Sequence, residues 1–187
     1  GRIRIMSPEG RIIADQLDPS RYFEYIGEAV EDWSYMKFPY YKSAGYPSGA
    51  YRVGPLARLN VSSSCGTRLA DDLLKEFRKL GVNGVVQNTF MYHYARLIEV
   101  VFCLEKAEEL LRDPEVLNTD VQAKASLNRR EGTGVIEAPR GTLLHHYRVD
   151  EQGRISWVNM IIATVNNNLA FNRAVTQVAK KYVNGRS

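Results

Sequence analysis

Hydrophobic and polar positions follow two different periods along the chain, and the changes of period predict its elements. Residues 2–13 alternate around Pro8-Glu9-Gly10, which predicts a β-hairpin. Residues 133–162 also repeat with a period of two, which predicts antiparallel strands. The order of the segments predicts an α+β fold, a helix-dominated bundle with an N-terminal β-hairpin and a small antiparallel β unit near 134–162. Helical spacing predicts the helices of this bundle over 22–31, 67–80, 85–112 and 169–182.

Three segments carry specific expectations. Residues 85–112 place apolar side chains every three or four positions over a wide face, so we expect a long helix buried on most sides. Thr67 stands at the expected N-cap of the helix over 67–80. Residues 33–51 are rich in aromatic side chains and are interrupted by prolines and glycines, so we expect a long loop there.

About half of the aromatic residues lie between Tyr22 and Tyr51, with Lys37, Lys42 and Arg52 among or beside them. Aromatic and basic side chains in this arrangement are typical of surfaces that stack nucleic-acid bases. The formal net charge is only +4, however, and aromatic loops commonly pack onto neighbouring elements or subunits. We therefore predict no nucleic-acid partner and keep base stacking as the weakest alternative.

The composition is that of a globular protein, since 44% of the 187 residues are hydrophobic and 25% are charged. No apolar run approaches the roughly 20 residues of a membrane span, so we predict a soluble chain without a membrane partner. The length suits one domain or a compact piece of a larger protein, and we treat 1–187 as a single unit. Because the chain opens on Gly1 without an initiator Met and closes directly after an amphipathic run, we expect it to be a fragment of a longer protein.

The cysteines and histidines predict no self-contained metal site. Cys65 and Cys103 form no CxxC motif, and we expect reduced, buried thiols, although their spacing leaves a disulfide open. His93 stands alone on a predicted helix, where a hydrogen-bonded core or interface role is more common than metal ligation. His145 and His146 are neighbours on a predicted strand, so their side chains point to opposite faces and cannot share one metal ion.

The densest polar stretch is Glu137-Ala138-Pro139-Arg140-Gly141, within the predicted β unit. Pro139 restricts Ala138 to extended backbone, and Gly141 permits a tight turn, so Arg140 would project from a rigid corner. A guanidinium held in this way suits an anionic group. The alternative is a structural Arg140 that pairs with Glu137 or with a helix C-terminus, and the pattern alone leaves both interpretations open.

Four stretches of the sequence are together specific enough to indicate a family. They are EAPRGTLLHHYRVDEQGRISWVNMIIATVNNNLAFNRAV, YRVGPLARLN, WSYMKFPYYK and MYHYARLIE. Together they resemble the large, catalytic subunit of [NiFe]-hydrogenases over essentially the whole chain. The HHY and NNN variants are most similar to the soluble, cytoplasmic NAD-reducing, or bidirectional, type.

The resemblance implies a parent enzyme that interconverts dihydrogen with protons and electrons, linked to NAD+ and NADH through a hydrogenase small subunit and diaphorase subunits. It also implies a Ni-Fe(CN)2(CO) centre in the full-length parent, held by two CxxC motifs. The 187 residues contain neither motif, so we expect no metal centre, no activity and self-association for this segment alone. The alternative is a non-catalytic assembly or binding module that retains the hydrogenase scaffold.

Four positions match residues that surround the metal centre in the family. Pro139 and Arg140 match a Pro-Arg pair whose arginine lies over the two metals and donates to one iron-bound cyanide. Thr164 matches a serine or threonine that donates to the second cyanide, and Leu143 matches an apolar side chain lining the pocket of the diatomic ligands. The resemblance thus implies Arg140 as the catalytic residue and Pro139, Arg140, Leu143 and Thr164 as the cofactor-binding set.

Overall fold

A computed structural model describes residues 2–124 and 128–183. Its helices and strands alternate in short groups along the chain rather than forming one large layer. The strands are β1 (Ile3–Met6), β2 (Ile12–Leu17), β3 (Ile26–Glu31), β4 (Ser34–Tyr41), β5 (Glu131–Ala138), β6 (Gly141–Val149) and β7 (Ile155–Ile161). The helices are α1 (Tyr22–Tyr25), α2 (Pro55–Val61), α3 (Arg68–Lys79), α4 (Met91–Leu111) and α5 (Asn168–Tyr182).

The strands form three small antiparallel sheets, two of which are hairpins. β1 pairs with β2, β3 pairs with β4, and β5, β6 and β7 form a three-stranded meander with β6 at its centre. The α+β class, the N-terminal hairpin and the antiparallel unit near 134–162 are therefore confirmed. Helices α3 and α5 also lie where the periodicity predicts them.

The largest hydrophobic core lies between α2, α3 and α4. Phe77, on α3, is fully buried and meets the ring of Tyr94, on α4, edge-on at 5.6 Å between centroids. A smaller cluster of Tyr22, Leu144 and Ile161 lies on one face of the meander. The larger cluster is formed by Leu56, Leu59, Ala70, Leu74, Phe77, Val86, Ala95 and Ile98.

The expected helix over 22–31 and the expected loop over 33–51 are both wrong. Helix α1 ends at Tyr25, and the chain continues as the β3–β4 hairpin. Pro39 lies inside β4, opposite Glu28. A proline is tolerated there because each strand of a two-stranded sheet has one edge free of ladder hydrogen bonds.

The expected helix over 85–112 is shorter and less buried than its sequence pattern suggests. It begins at Met91, because the Asn88 side chain accepts a hydrogen bond from the Phe90 amide at 2.9 Å and holds the preceding residues in a turn. On α4 only Ala95 and Ile98 are buried. The apolar side chains of the helix that stay exposed are Leu97, Val100, Leu104, Leu110 and Leu111.

The start of α3 is capped from another helix rather than by Thr67. The Glu105 carboxylate, on α4, accepts hydrogen bonds from the Leu69 and Ala70 amides at 3.0 Å each. The Thr67 hydroxyl donates to the same carboxylate at 2.7 Å. These hydrogen bonds, that from the Leu69 amide first, hold the pKa of Glu105 below its ordinary value.

Two further expectations concern single side chains. Both cysteines are free thiols, but Cys103 is exposed and Cys65 only half-buried, so the expectation of buried thiols is wrong. His93 is exposed and packs its ring against Phe90, rather than entering the core. Among the described residues, no helix is both long and apolar enough to cross a membrane.

Candidate functional site

The Pro-Arg pair forms the two-residue turn between β5 and β6. Ala138 pairs with Gly141, which leaves Pro139 and Arg140 alone at the tip. Gly141 has a φ of +143°, and the Val53 side chain occupies the space that a Cβ would need there. The rigid corner expected from the sequence is therefore present, and it packs against the segment that leads into α2.

The guanidinium of Arg140 projects into open space from this corner. Arg140 is exposed, and its side chain makes no hydrogen bond or ion pair with any other described residue. Glu137, the alternative partner, instead accepts from Arg58 Nη1 at 2.7 Å and from Thr142 Oγ1 at 2.5 Å. The interpretation of Arg140 as a partner of Glu137 is therefore wrong.

The other two predicted residues lie at the same end of the meander. Leu144 pairs with Ile161, so the beginning of β6 extends beside the chain that leaves β7. The Ala163 carbonyl oxygen stands 3.2 Å from the position that a Cβ of Gly141 would take. Thr164 follows it and is exposed, whereas Leu143 is half-buried. The fold thus gathers all four predicted positions around one turn, although the first and last of them lie 25 positions apart in sequence.

Three consecutive asparagines after β7 fix this end of the sheet, and sequence reasoning gave them no structural role. Asn166 Nδ2 donates to the Thr142 carbonyl at 2.8 Å, and Asn166 Oδ1 accepts from the Tyr51 hydroxyl. Asn167 Oδ1 accepts from the Val53 amide at 2.9 Å. Asn168 Nδ2 donates to the Lys37 carbonyl at 3.0 Å. All three asparagines are buried, so their side chains replace water for backbone groups of distant segments.

Burial also affects the tyrosine of this network. Desolvation, with a smaller contribution from the charge of Glu28, raises the pKa of the Tyr51 hydroxyl. The hydroxyl therefore stays protonated and donates to Asn166. Tyr51 and Asn166 lie 115 positions apart in sequence, and the polar NNN pattern was the only local signal for the contact.

Arg58, in the GPLARLN stretch, supports the turn from the other side. Desolvation lowers the pKa of its guanidinium, but the hydrogen bonds that it donates to Glu99 and Glu137 outweigh this effect, so the pKa is raised. The Arg58 side chain is 20% exposed and that of Glu99 is 23% exposed. A charge-assisted pair in this setting is screened less than one on the open surface.

The histidines of β6 do not form a metal site. His146 is buried, with Nε2 2.8 Å from Glu131 Oε1, while His145 Nδ1 lies 2.8 Å from the Tyr147 hydroxyl. The two rings thus have separate partners, as the strand alternation predicts. No group of three or more histidine, cysteine, aspartate or glutamate side chains is placed to hold a metal ion within the described ranges.

What the turn offers a ligand is a set of donors. The Arg140 guanidinium carries five N–H donors and the Thr164 hydroxyl carries one, and both side chains are exposed beside the half-buried Leu143. These groups fit an acceptor-bearing, negatively charged partner and offer no ligand atom for a metal. Cys65 lies near the start of α3 and Cys103 lies on α4, so neither thiol belongs to the turn.

The family model of the nickel-dependent hydrogenases matches residues 14–173. The chain belongs to this family. It is 43% identical to the NAD-reducing hydrogenase HoxS subunit beta of Cupriavidus necator, over 99% of the chain and 38% of that protein. The nickel-dependent hydrogenase segment thus spans about two fifths of the length of this relative.

Solved hydrogenase structures confirm the fold of this segment. A crystal structure of an NAD+-reducing [NiFe]-hydrogenase in the H2-reduced state superposes with a TM-score of 0.92 at 42% identity, covering 100% of this chain and 41% of that one. A [NiFeSe] hydrogenase variant from Desulfovibrio vulgaris Hildenborough gives a TM-score of 0.60 at 26% identity, covering 82% and 37%. The resemblance stated from the sequence is confirmed at the level of the family.

Proposed function

We propose that this chain is the central segment of the catalytic large subunit of a cytoplasmic NAD-reducing [NiFe]-hydrogenase. The complete enzyme interconverts dihydrogen with protons and electrons and exchanges the electrons with NAD+ and NADH. The observation that carries the proposal is the Arg140 guanidinium, which is carried by a rigid turn in a hydrogenase scaffold and makes no hydrogen bond or ion pair with the residues that the structure describes. The identity to an NAD-reducing hydrogenase subunit and the superposition on an NAD+-reducing enzyme support the subtype.

The four residues of the turn surround the nickel-iron centre in this proposal, without ligating its metals. Arg140 and Thr164 would each donate a hydrogen bond to a cyanide ligand of the centre, and Leu143 would provide an apolar wall. Pro139 limits the backbone freedom of the turn, so the guanidinium keeps its place. When bound, the centre supplies the site at which dihydrogen is taken up and split.

Arg140 contributes by position and charge. A fixed cation stabilises negative charge that develops beside it, and it does so strongly where water is excluded. Its planar fork also presents several donors in a set direction, which a flexible ammonium cannot do. The free donors of Arg140 are thus the group of this chain that acts on the reaction.

The proposed partners follow from the type of enzyme. The HoxS relative is named as one subunit of a larger enzyme. We propose that the complete protein binds a hydrogenase small subunit and, through it, diaphorase subunits that exchange electrons with NAD+. Exposed apolar side chains on the β3–β4 hairpin and on α5, among them Tyr35, Trp33 and Phe171, are available for such contacts.

Metal analysis and turnover of the complete gene product test the proposal together. We expect about one nickel per large subunit, with hydrogen-dependent reduction of both a viologen dye and NAD+ in the assembled complex. Residues 1–187 alone serve as the control, and we expect them to bind neither nickel nor iron stoichiometrically. A complete product with neither nickel nor turnover would support a non-catalytic assembly module instead. Nickel with dye reduction but without NAD+ reduction would contradict the subtype only.

A further inference from the structure

Arg58 connects the Arg140 turn to the hydrophobic core through a single guanidinium. Its Nη1 donates to Glu137 Oε2 at 2.7 Å and to the Ala138 carbonyl at 2.9 Å. Its Nε and Nη2 donate to the two carboxylate oxygens of Glu99 at 2.6 and 2.8 Å. Ala138 directly precedes the Pro-Arg pair, and Glu99 follows the buried Ile98 on α4. One side chain therefore joins the end of β5 to α4, beside the buried Ile98.

The backbone around Arg58 also touches the turn. Gly54, the residue before α2, has a φ of +99°, and a Cβ there would stand 3.0 Å from the Arg140 carbonyl oxygen. The start of α2 is thus in direct contact with the peptide that carries Arg140. Because Arg58 lies one turn further along α2, its hydrogen bonds fix both the helix and the turn in one register.

We infer that Arg58 is a positioning residue for Arg140, acting through Glu137, Ala138 and Glu99. This inference rests on the proposed function, in which Arg140 acts on the reaction. A small displacement of a group that acts in a transition state, of about 1 Å, can cost roughly 100-fold in rate. The hydrogen bonds of Arg58 hold the turn in place and so prevent such a displacement. The Arg140 side chain cannot do this itself, since it has no protein partner among the described residues.

Arg58→Lys tests this positioning role because lysine keeps the positive charge but lacks the planar guanidinium with its several N–H donors. A single ammonium cannot bind Glu99 through two parallel hydrogen bonds and also reach Glu137 and the Ala138 carbonyl. In the complete large subunit, Arg58→Lys is expected to speed amide hydrogen exchange at Gly141 and Thr142 by about tenfold or more. It is also expected to lower the rate of hydrogen oxidation per bound nickel by about tenfold or more, since the turn then moves.

Arg4→Lys is the matched control. Arg4 also binds a carboxylate through two hydrogen bonds, to Asp15 at 3.0 and 2.9 Å, and donates to a carbonyl, that of Val61, at 2.9 Å. It lies on the β1–β2 hairpin and makes no hydrogen bond with β5 or β6 in the part of the chain that is described. Exchange at Gly141 and the rate per nickel are expected to stay at their original values in this control.

Glu137→Gln provides a second variant in case Arg58→Lys fails to fold. It keeps the Arg58 pair with Glu99 and weakens the hydrogen bonds that Glu137 accepts from Arg58 and from the Thr142 hydroxyl, so faster exchange is expected at Gly141 and not in α4. Equal exchange at Gly141 in the Arg58, Glu137 and Arg4 variants would overturn the inference. Faster exchange at Gly141 in Arg58→Lys with an unchanged rate of hydrogen oxidation per nickel would also overturn it, provided that Arg140→Lys lowers that rate. If Arg140→Lys itself keeps the full rate, the proposed function fails, and the exchange data still decide whether Arg58 fixes the turn.

Discussion

Replacing Arg140 by lysine separates a role in the reaction from a role in the fold. The side chain is exposed and makes no hydrogen bond or ion pair with other described residues, so the change removes no contact that stabilises the protein. We expect the free energy of unfolding to change by no more than about 0.5 kcal/mol. The rate of hydrogen oxidation per bound nickel should fall by about 100-fold, because the ammonium cannot occupy the place and direction of the guanidinium. At about 1.36 kcal/mol for each factor of ten, this loss corresponds to about 2.7 kcal/mol in the activation barrier.

Arg148→Lys gives the opposite pattern and serves as the control. Arg148 also lies on β6, but its Nε donates to Glu131 at 3.0 Å and its guanidinium stacks 4.8 Å from the ring centroid of Trp157. Its replacement should cost up to about 1 kcal/mol of stability and leave the rate per nickel unchanged. The two quantities are measured by urea unfolding and by dye reduction under hydrogen, normalised to nickel content. Equal rates for Arg140→Lys and the unchanged enzyme would refute the role of Arg140, and a stability loss above about 1 kcal/mol would show that it has a structural partner.

Four further predictions concern the fold. Asn166→Leu removes three hydrogen bonds, to the carbonyls of Thr142 and Ile162 and from the Tyr51 hydroxyl, and leaves the half-buried Tyr51 hydroxyl without this acceptor. It should therefore cost about 2–4 kcal/mol in urea unfolding, whereas Tyr51→Phe should cost about 1 kcal/mol, and equal losses would contradict the asparagine network. Phe77→Ala should cost about 3–5 kcal/mol because its ring is fully buried, and a loss below about 1 kcal/mol would exclude it from the core. The lowered pKa of Glu105 means that its stabilising effect is present above the ordinary carboxyl pKa and is lost as the pH falls below about 4. The loss of stability with falling pH, followed by circular dichroism, should therefore be smaller in Glu105→Gln than in the unchanged protein. Identical pH dependences would argue against the capping of α3 by Glu105. Residues 1–187 alone should self-associate in light scattering, since 30 large hydrophobic side chains are exposed in the described part of the chain. A strict monomer that binds no hydrophobic dye would contradict this.

The elements that the sequence predicts well are those whose own side chains decide their structure. The meander β5–β7 follows from a period of two and a clear turn at 150–153, and α3 and α5 follow from one apolar stripe each. The β3–β4 hairpin does not follow in this way. Its strand Ile26–Glu31 contains helix-forming residues, and Pro39 in the second strand is a signal against a strand in most sequences. Pairing between the two strands overrides both local preferences.

The candidate site shows the same division between local and long-range information. Pro139, Arg140 and Gly141 are adjacent, so their turn could be predicted from backbone preferences. Arg58 and Glu137 lie 79 positions apart, and the sequence pattern around GPLARLN does not indicate a partner for the arginine. Only the folded chain could therefore distinguish a free Arg140 from one paired with Glu137.

The turn is held by its backbone on both sides of Arg140, while the Arg140 side chain makes no hydrogen bond or ion pair within the described ranges. On the β5 side, Arg58 donates to the Ala138 carbonyl, and on the β6 side, Asn166 donates to the Thr142 carbonyl. These two carbonyls stand two positions before and two positions after Arg140. These two hydrogen bonds use main-chain carbonyls as acceptors and none of the N–H donors of Arg140. They therefore fix the backbone that carries the guanidinium without occupying its donors. Such an arrangement suits preorganised electrostatic stabilisation, because the position of the charge is set during folding and no rearrangement is required when a ligand is bound. Stability and activity should therefore respond to different residues, the first to Asn166 and the second to Arg140, while Arg58 affects both.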